Sequence, residues 1–451
     1  MKQTLLVLKL LLQLLLFFPF WALSQPVVTT PPTSTLTLSQ CLKYALVNQP
    51  VVRQARIDEQ TTEADIRIAR APWLPQFGLT ASGQHYFVLP TTFFPNLNTG
   101  INEPRQIGVS NTSTIGLAGT QVIYNNEVSL ASRKARFSRR AALQNTANTR
   151  INVISNVSKV FYDVLLSQRQ LDVFNQDITR LQRNYKDAKA RYDAGIVDKT
   201  DYLQAEISLN NSLAGRKQAQ ESIRAKTALL HQQMGLPAER PLKLQYDTLK
   251  LETDAAFDTT ADLNIAGRVE YQELLTQKSL QHLTIDYYQL GFLPSIGAFG
   301  NYNAVYQNND FGKLYAQRFP NSYAGLQAIL PIFTGFRRTQ NLLRARLQDN
   351  RLDEDINSTR NKINAEYATA LASYKSYFSD YLIGKRNLDL AQQVYKVVDL
   401  QYREGIKAYI DLLIAQTTLR TSQLNYYTSL FQVLGSKVEL QRTLGILPTD
   451  Y

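Results

Sequence analysis

From Asn126 to Ala194 the chain runs 69 residues with neither glycine nor proline, and from Phe336 to Glu404 it does so again, interrupted only by Gly384. Within these runs, stretches such as VFNQDITRLQRNYKDAKARY mix apolar and charged positions at helical spacing. Each run predicts a helix of about 100 Å at 1.5 Å per residue. Such helices are too long and too polar to cross a bilayer of about 30 Å, so they must lie against other helices in water. Elsewhere the period changes from 3.6 to 2. At 76–87, Phe77, Leu79, Ala81 and Phe87 alternate with Thr80, Ser82, Gln84 and Tyr86. At 112–124 the apolar set is Ile115, Leu117, Gly119 and Ile123, and at 296–306 it is Ile296, Ala298, Tyr302 and Tyr306. At 322–333 it is Ala324, Leu326, Ala328, Leu330 and Ile332. Alternation of this kind suits a transmembrane β-barrel, and equally one face of a soluble β-sandwich.

The pattern occurs twice. YDAGIVDKTDYLQAE at 192–206 returns as YREGIKAYIDLLIAQ at 402–416, with matches at Tyr192/Tyr402, Gly195/Gly405, Ile196/Ile406 and Asp201/Asp411. Leu74-Pro75 returns as Leu293-Pro294, and QVIY at 121–124 as LPIF at 330–333. Duplication at this period implies two structural repeats about a shared axis. The first, 25–240, would hold a helix, strands 76–87 and 112–124, the long helix 126–194 and a helix at 199–235. The second, 241–451, would hold a helix at 262–290, strands 296–306 and 322–333, the long helix 336–404 and a helix at 409–444. Gly195 and Gly405 read as helix C-caps, and Asp201 and Asp411 as acids in a first helical turn, where they complement the dipole.

The first 25 residues, MKQTLLVLKLLLQLLLFFPFWALSQ, read as a secretory signal peptide over 1–24 with an A-x-S cleavage site. No other stretch approaches eighteen consecutive apolar residues, so entry into a membrane would have to be by strands. Four strands cannot close a barrel, which takes about eight or more, and an open edge in lipid is not viable. The pattern therefore implies a homo-oligomer sharing one barrel, with two copies giving eight strands and three giving twelve.

Composition adds mainly exclusions. The formal net charge of +12 is dispersed, and its one tight cluster, RKARFSRR at 133–140, reads as a solvated helix face or a segment near lipid headgroups. The single cysteine, Cys41, permits no intrachain disulfide and falls in an apolar pattern. His85, His231 and His282 are far apart, with no metal-ligand spacing among them. There is no nucleotide motif and no catalytic dyad at telling spacing, so neither an enzyme nor a cofactor is expected. A secreted coiled-coil structural or adaptor protein is the rival reading, and extraction without detergent would favour it.

With LTLSQCLKYALVNQP at 36–50, IRIARAPWLPQFGLTASG at 66–83, FLPSIGAFGNYN at 292–303, LPIFTG at 330–335 and the paired phrases at 191–206 and 401–416, the chain resembles the TolC-type outer-membrane efflux proteins. The resemblance covers about residues 36–446. It implies an α+β membrane protein in which four strands per protomer build a trimeric 12-stranded transmembrane β-barrel, continued by a long periplasmic α-helical barrel. It implies an exit duct of a tripartite efflux or type I secretion system, in the outer membrane with a periplasmic extension. The implied partners are a periplasmic adaptor protein, an inner-membrane transporter of RND, ABC or MFS type and outer-membrane lipid, with no nucleic acid. Residue by residue, it assigns the periplasmic gate to Asp201, Tyr402, Lys407 and Asp411, and the hairpin tips that meet the adaptor to Gly195, Ile196, Gly405 and Ile406. This sequence departs from the family pattern at Ile414, where a second ring acid is usual, and at Lys407, where arginine is usual; lysine lacks the bidentate geometry.

Overall fold

The computed structural model describes residues 35–95 and 100–449. The expected signal peptide over 1–24 lies outside the described residues. From Leu36 onward the two repeats form one compact unit rather than separate domains. In chain order the elements are α1 (Leu38–Asn48), α2 (Pro50–Arg70), β1 (Gln76–His85), β2 (Thr91–Pro95), β3 (Asn102–Gln106), β4 (Asn111–Tyr124), α3 (Asn126–Asp193) and α4 (Lys199–Met234). The second half holds α5 (Thr248–Asp254), α6 (Val269–Gln289), β5 (Ser295–Asn308), β6 (Arg318–Ile329), α7 (Arg337–Arg403) and α8 (Tyr409–Leu444).

Four strands make one antiparallel sheet in the order β1-β4-β5-β6. Its register aligns the alternating positions, because residues directly opposite in antiparallel strands point to the same side. Leu79 faces Leu117 and Leu117 faces Tyr302, while Phe77 faces Gly119 and Ala298 faces Leu326. One apolar face thus runs across all four strands. Phe77, Leu79, Leu117 and Leu326 on it are exposed. Gly119 is glycine because the Phe77 ring lies over it: an added Cβ would sit 3.0 Å from Cε1. Both edges, β1 and β6, are unpaired among the described residues.

Three segments differ from the periodicity. The strand expected over 322–333 is shifted, running from Arg318 to Ile329. Its register ends where Ser295, the first residue of β5, faces Ile329, and Pro331 beyond has no N–H to donate to a ladder. The helix expected from 262 begins at Val269, after a 3₁₀ turn in which the Asn264 side chain accepts from the Gly267 amide. Between β1 and β4, where no element was expected, the β2–β3 hairpin pairs Thr91 with Gln106.

The long helices are continuous over 68 and 67 residues. Gly384 does not break α7; it lets α8 approach, since a Cβ there would lie 3.3 Å from Ser429 Oγ and 3.5 Å from Tyr426 Cα. The main core joins α1 (Leu42), α3 (Ile154, Phe161, Leu165), α4 (Leu230, Met234) and α8 (Leu430, Leu434). Cys41 is wholly buried in it, and burial pushes its thiol up to about 12. Cations of the 133–140 cluster tie α3 to its neighbours: Arg133 to Asp286 at 2.5 Å, Arg139 to Glu63 at 2.6 Å, and Arg140 to the Gln272 side chain at 3.0 Å. Among the described residues, no helix is long and apolar enough to cross a membrane.

Candidate functional site

The two repeated phrases form the far ends of two helical hairpins, α3–α4 and α7–α8. Each end is built alike. Gly195 and Gly405 stand in the left-handed region, at φ of 68° and 76°. The Gly195 amide donates to Tyr192 O at 2.8 Å and the Ile196 amide to Arg191 O at 2.9 Å. At the other end the Gly405 amide donates to Tyr402 O and the Ile406 amide to Gln401 O. Both are Schellman caps, which need the left-handed residue. The next helix starts without a side-chain cap in both cases, and Asp201 and Asp411 lie in its first turn. Ile196 and Ile406 are each 71% exposed, so the two tips present apolar side chains to the outside.

Between the tips lies a small cluster separate from the main core. Ala188 of α3, Ala205 of α4, Tyr402 of α7, and Tyr409 and Leu412 of α8 are all buried, one or two from each of the four helices. The Tyr402 ring meets Tyr409 edge-on at 5.8 Å, and the Arg191 guanidinium stands 5.0 Å from its centroid. Burial raises the hydroxyl of Tyr402 and, further, that of Tyr409; the Asp201 charge adds to both. The Tyr409 hydroxyl is buried and has no hydrogen-bond partner among the described residues.

Of the residues singled out from the sequence, the fold brings Tyr402 and the charge of Asp201 to one place. Lys407, in the turn before α8, reaches Asp411 in the first turn of that helix, Nζ to Oδ2 at 3.7 Å, with both side chains well exposed. Sequence reasoning missed Arg191 and Tyr409. The repeat hid them: Arg191 aligns with Gln401 and Tyr409 with Lys199, so neither belongs to the shared phrase. Their signal was the departure from the repeat. The described residues contain no group of three or more His, Cys, Asp or Glu able to hold a metal.

The comparisons agree with this architecture. The model of the outer membrane efflux protein family matches residues 41–236 and 284–446. The chain is 24% identical over 420 residues to the toluene efflux pump outer membrane protein TtgC of Pseudomonas putida, covering 90% of this chain and 82% of that protein. It is 21% identical over 425 residues to the outer membrane protein TolC of Vibrio cholerae, covering 91% of each. The solved outer membrane protein VceC of Vibrio cholerae shares the fold with a TM-score of 0.72 at 16% identity, over 90% of this chain and 96% of that one. The CmeC outer membrane channel of Campylobacter jejuni does so with a TM-score of 0.73 at 17% identity, over 92% and 87%. With the family model spanning both repeats and the same fold in solved channels, the chain belongs to the outer membrane efflux protein family.

Proposed function

We propose that the chain is the passive outer-membrane exit duct of a tripartite efflux or type I secretion system, and that three copies close one 12-stranded barrel. The observation that carries this reading is the open four-stranded sheet: it has an apolar face, two unpaired edges, and helices of about 100 Å leading away from it. Backbone groups on an open edge cannot stay unpaired in lipid. Pairing β1 of one copy with β6 of the next satisfies both edges at once. The α3–α4 and α7–α8 hairpins then continue the barrel as a helical tunnel into the periplasm.

In this reading Asp201, Tyr402, Lys407 and Asp411 hold the periplasmic end closed, and the exposed tips at Gly195-Ile196 and Gly405-Ile406 receive a periplasmic adaptor protein. An inner-membrane transporter of RND, ABC or MFS type supplies the energy. Three copies of Asp411 around the axis would favour cations over anions. The adaptor would act by stabilising the dilated tip, a population shift between two states. Detergent-purified protein inserted in a planar bilayer tests this. A trimer mass and ion conductance that rises in Lys407→Ala or Asp201→Ala support the gate; a monomer without conductance refutes the duct.

A further inference from the structure

α8 packs between α3 and α7, and a groove of about 680 Å³ lies over it with those two helices as walls. Its floor is α8 at Phe431 and Gly435. Asp163 stands on the α3 wall and Tyr377 on the α7 wall. A groove of this size suits a small organic molecule. The side to which it opens follows from the helix faces. In α8, Leu430 and Leu434 enter the main core, the Tyr426 hydroxyl donates to Glu252 of α5 at 2.5 Å, and Lys437 Nζ donates to Asp254 O at 2.6 Å. Gly435 and Glu439 lie on the opposite side of that helix at 3.6 residues per turn. In α3, Phe161 and Leu165 enter the core and Asp163 lies opposite them. α1 and α5 therefore cover one side of the helical layer, and the groove opens on the other. In the duct proposed above, the tunnel runs on the side that α1 and α5 leave free, so the groove faces the tunnel.

Two features of the groove have no packing reason. Gly215 of α4 lies under the Phe174 ring and Gly384 admits α8, but a Cβ added at Gly435 would meet nothing within 4 Å. Glycine weakens a helix interior. At 435 its effect is to deepen the groove floor. The second feature is charge. The lining holds three acids and two lysines. Lys159 pairs with Glu439 at 2.5 Å, and Lys362 stands 3.9 Å from Glu366. From outside the lining, Arg442 joins Glu439 at 2.6 Å and Arg268 joins Glu366 at 3.3 Å. The Asp163 carboxylate is exposed and has no ion pair or hydrogen bond among the described residues. An apolar, partly aromatic surface beside an uncommitted carboxylate fits a molecule with an apolar body and a positive charge.

We propose that this groove is a transit site in which the duct holds an exported organic cation with an aromatic or apolar body, the cation beside Asp163 and the body over Gly435. The proposal rests on the duct reading for the side that the groove faces. Three copies would place three such sites at one level around the tunnel.

Ethidium, an aromatic monocation, is the probe, titrated into the detergent-purified assembly and read by fluorescence anisotropy. Gly435→Leu has room at its Cβ and favours the helix, so it should weaken ethidium binding at least about tenfold while the melting temperature holds or rises. Asp163→Asn should weaken binding about threefold to fivefold, and the difference from wild type should shrink as salt is raised. Naphthalene-2-sulfonate, an aromatic anion, should not displace ethidium. Gel filtration checks that each variant assembles. Wild-type affinity in an assembled Gly435→Leu or Asp163→Asn variant, or ready displacement by the sulfonate, overturns the proposal. Failure of the duct reading looks different: a monomer without conductance refutes the duct whatever ethidium does.

Discussion

Replacing Tyr402 with alanine should open the tip far more than removing the charge on Lys407. Tyr402 is 7% exposed, and its ring is held between the Arg191 guanidinium and the edge of Tyr409. A buried aromatic removes about 150–250 Å² from water. At about 25 cal/mol per Å² that is about 4–6 kcal/mol, and measured aromatic-to-alanine costs of about 3–5 kcal/mol are the safer figure. The tip cluster stands apart from the main core, so neighbouring packing cannot share the loss. By contrast the Lys407–Asp411 pair is an exposed contact between the tip turn and the first turn of α8, contributing about 0–1 kcal/mol. If opening uncovers Tyr402, the alanine variant shifts the open-to-closed ratio at least about a hundredfold, against at most about fivefold for Lys407→Ala. Single-channel conductance in planar bilayers reads the ratio directly, and gel filtration in detergent checks that the variant still assembles. An assembled Tyr402→Ala channel with wild-type conductance, or one exceeded by Lys407→Ala, would show that aromatic packing does not hold the tip.

Tyr409→Phe removes a buried hydroxyl that has no partner, so it should slow hydrogen exchange around 402–412 and should not raise conductance. Because burial raises the Tyr402 and Tyr409 hydroxyls, the closed tip keeps its full stability below the free tyrosine value of about 10 and loses it as pH climbs further. Conductance measured from about pH 8 to 11 should rise only at the alkaline end, and less so in Tyr409→Phe. Arg268 is 3% exposed and donates to Thr443 O at 2.8 Å, to Glu270 at 3.0 Å and to Glu366 at 3.3 Å. Arg268→Ala should cost about 3–5 kcal/mol by stranding partly buried carboxylates, seen as a lower melting temperature with unchanged single-channel conductance.

Element types were legible wherever periodicity was long and uninterrupted. The 69-residue runs lacking proline became single helices because nothing in them opposes the helical ladder. The alternating positions fell on one sheet face because strand period is fixed by the backbone. Boundaries were less legible where pairing decides them. LPIF at 330–333 alternates like a strand but has no partner beyond Ser295 among the described residues, and the β2–β3 hairpin depends on two short exposed runs finding each other across a loop.

At the tip, sequence determined that two equivalent turns exist, since glycine at 195 and 405 adopts the left-handed cap without strain. It could not say which half of each matched pair is buried. Tyr192 is 38% exposed while its counterpart Tyr402 is 7% exposed, although both occupy the same place in the repeat. The tertiary structure decides this by bringing Arg191, Tyr409 and Ala188 from other helices over Tyr402. The buried Asp177 of α3 shows the same: its carboxylate accepts from Ser212 of α4 and from Arg420 of α8, 243 residues away in the chain, a proximity that only the packed fold creates.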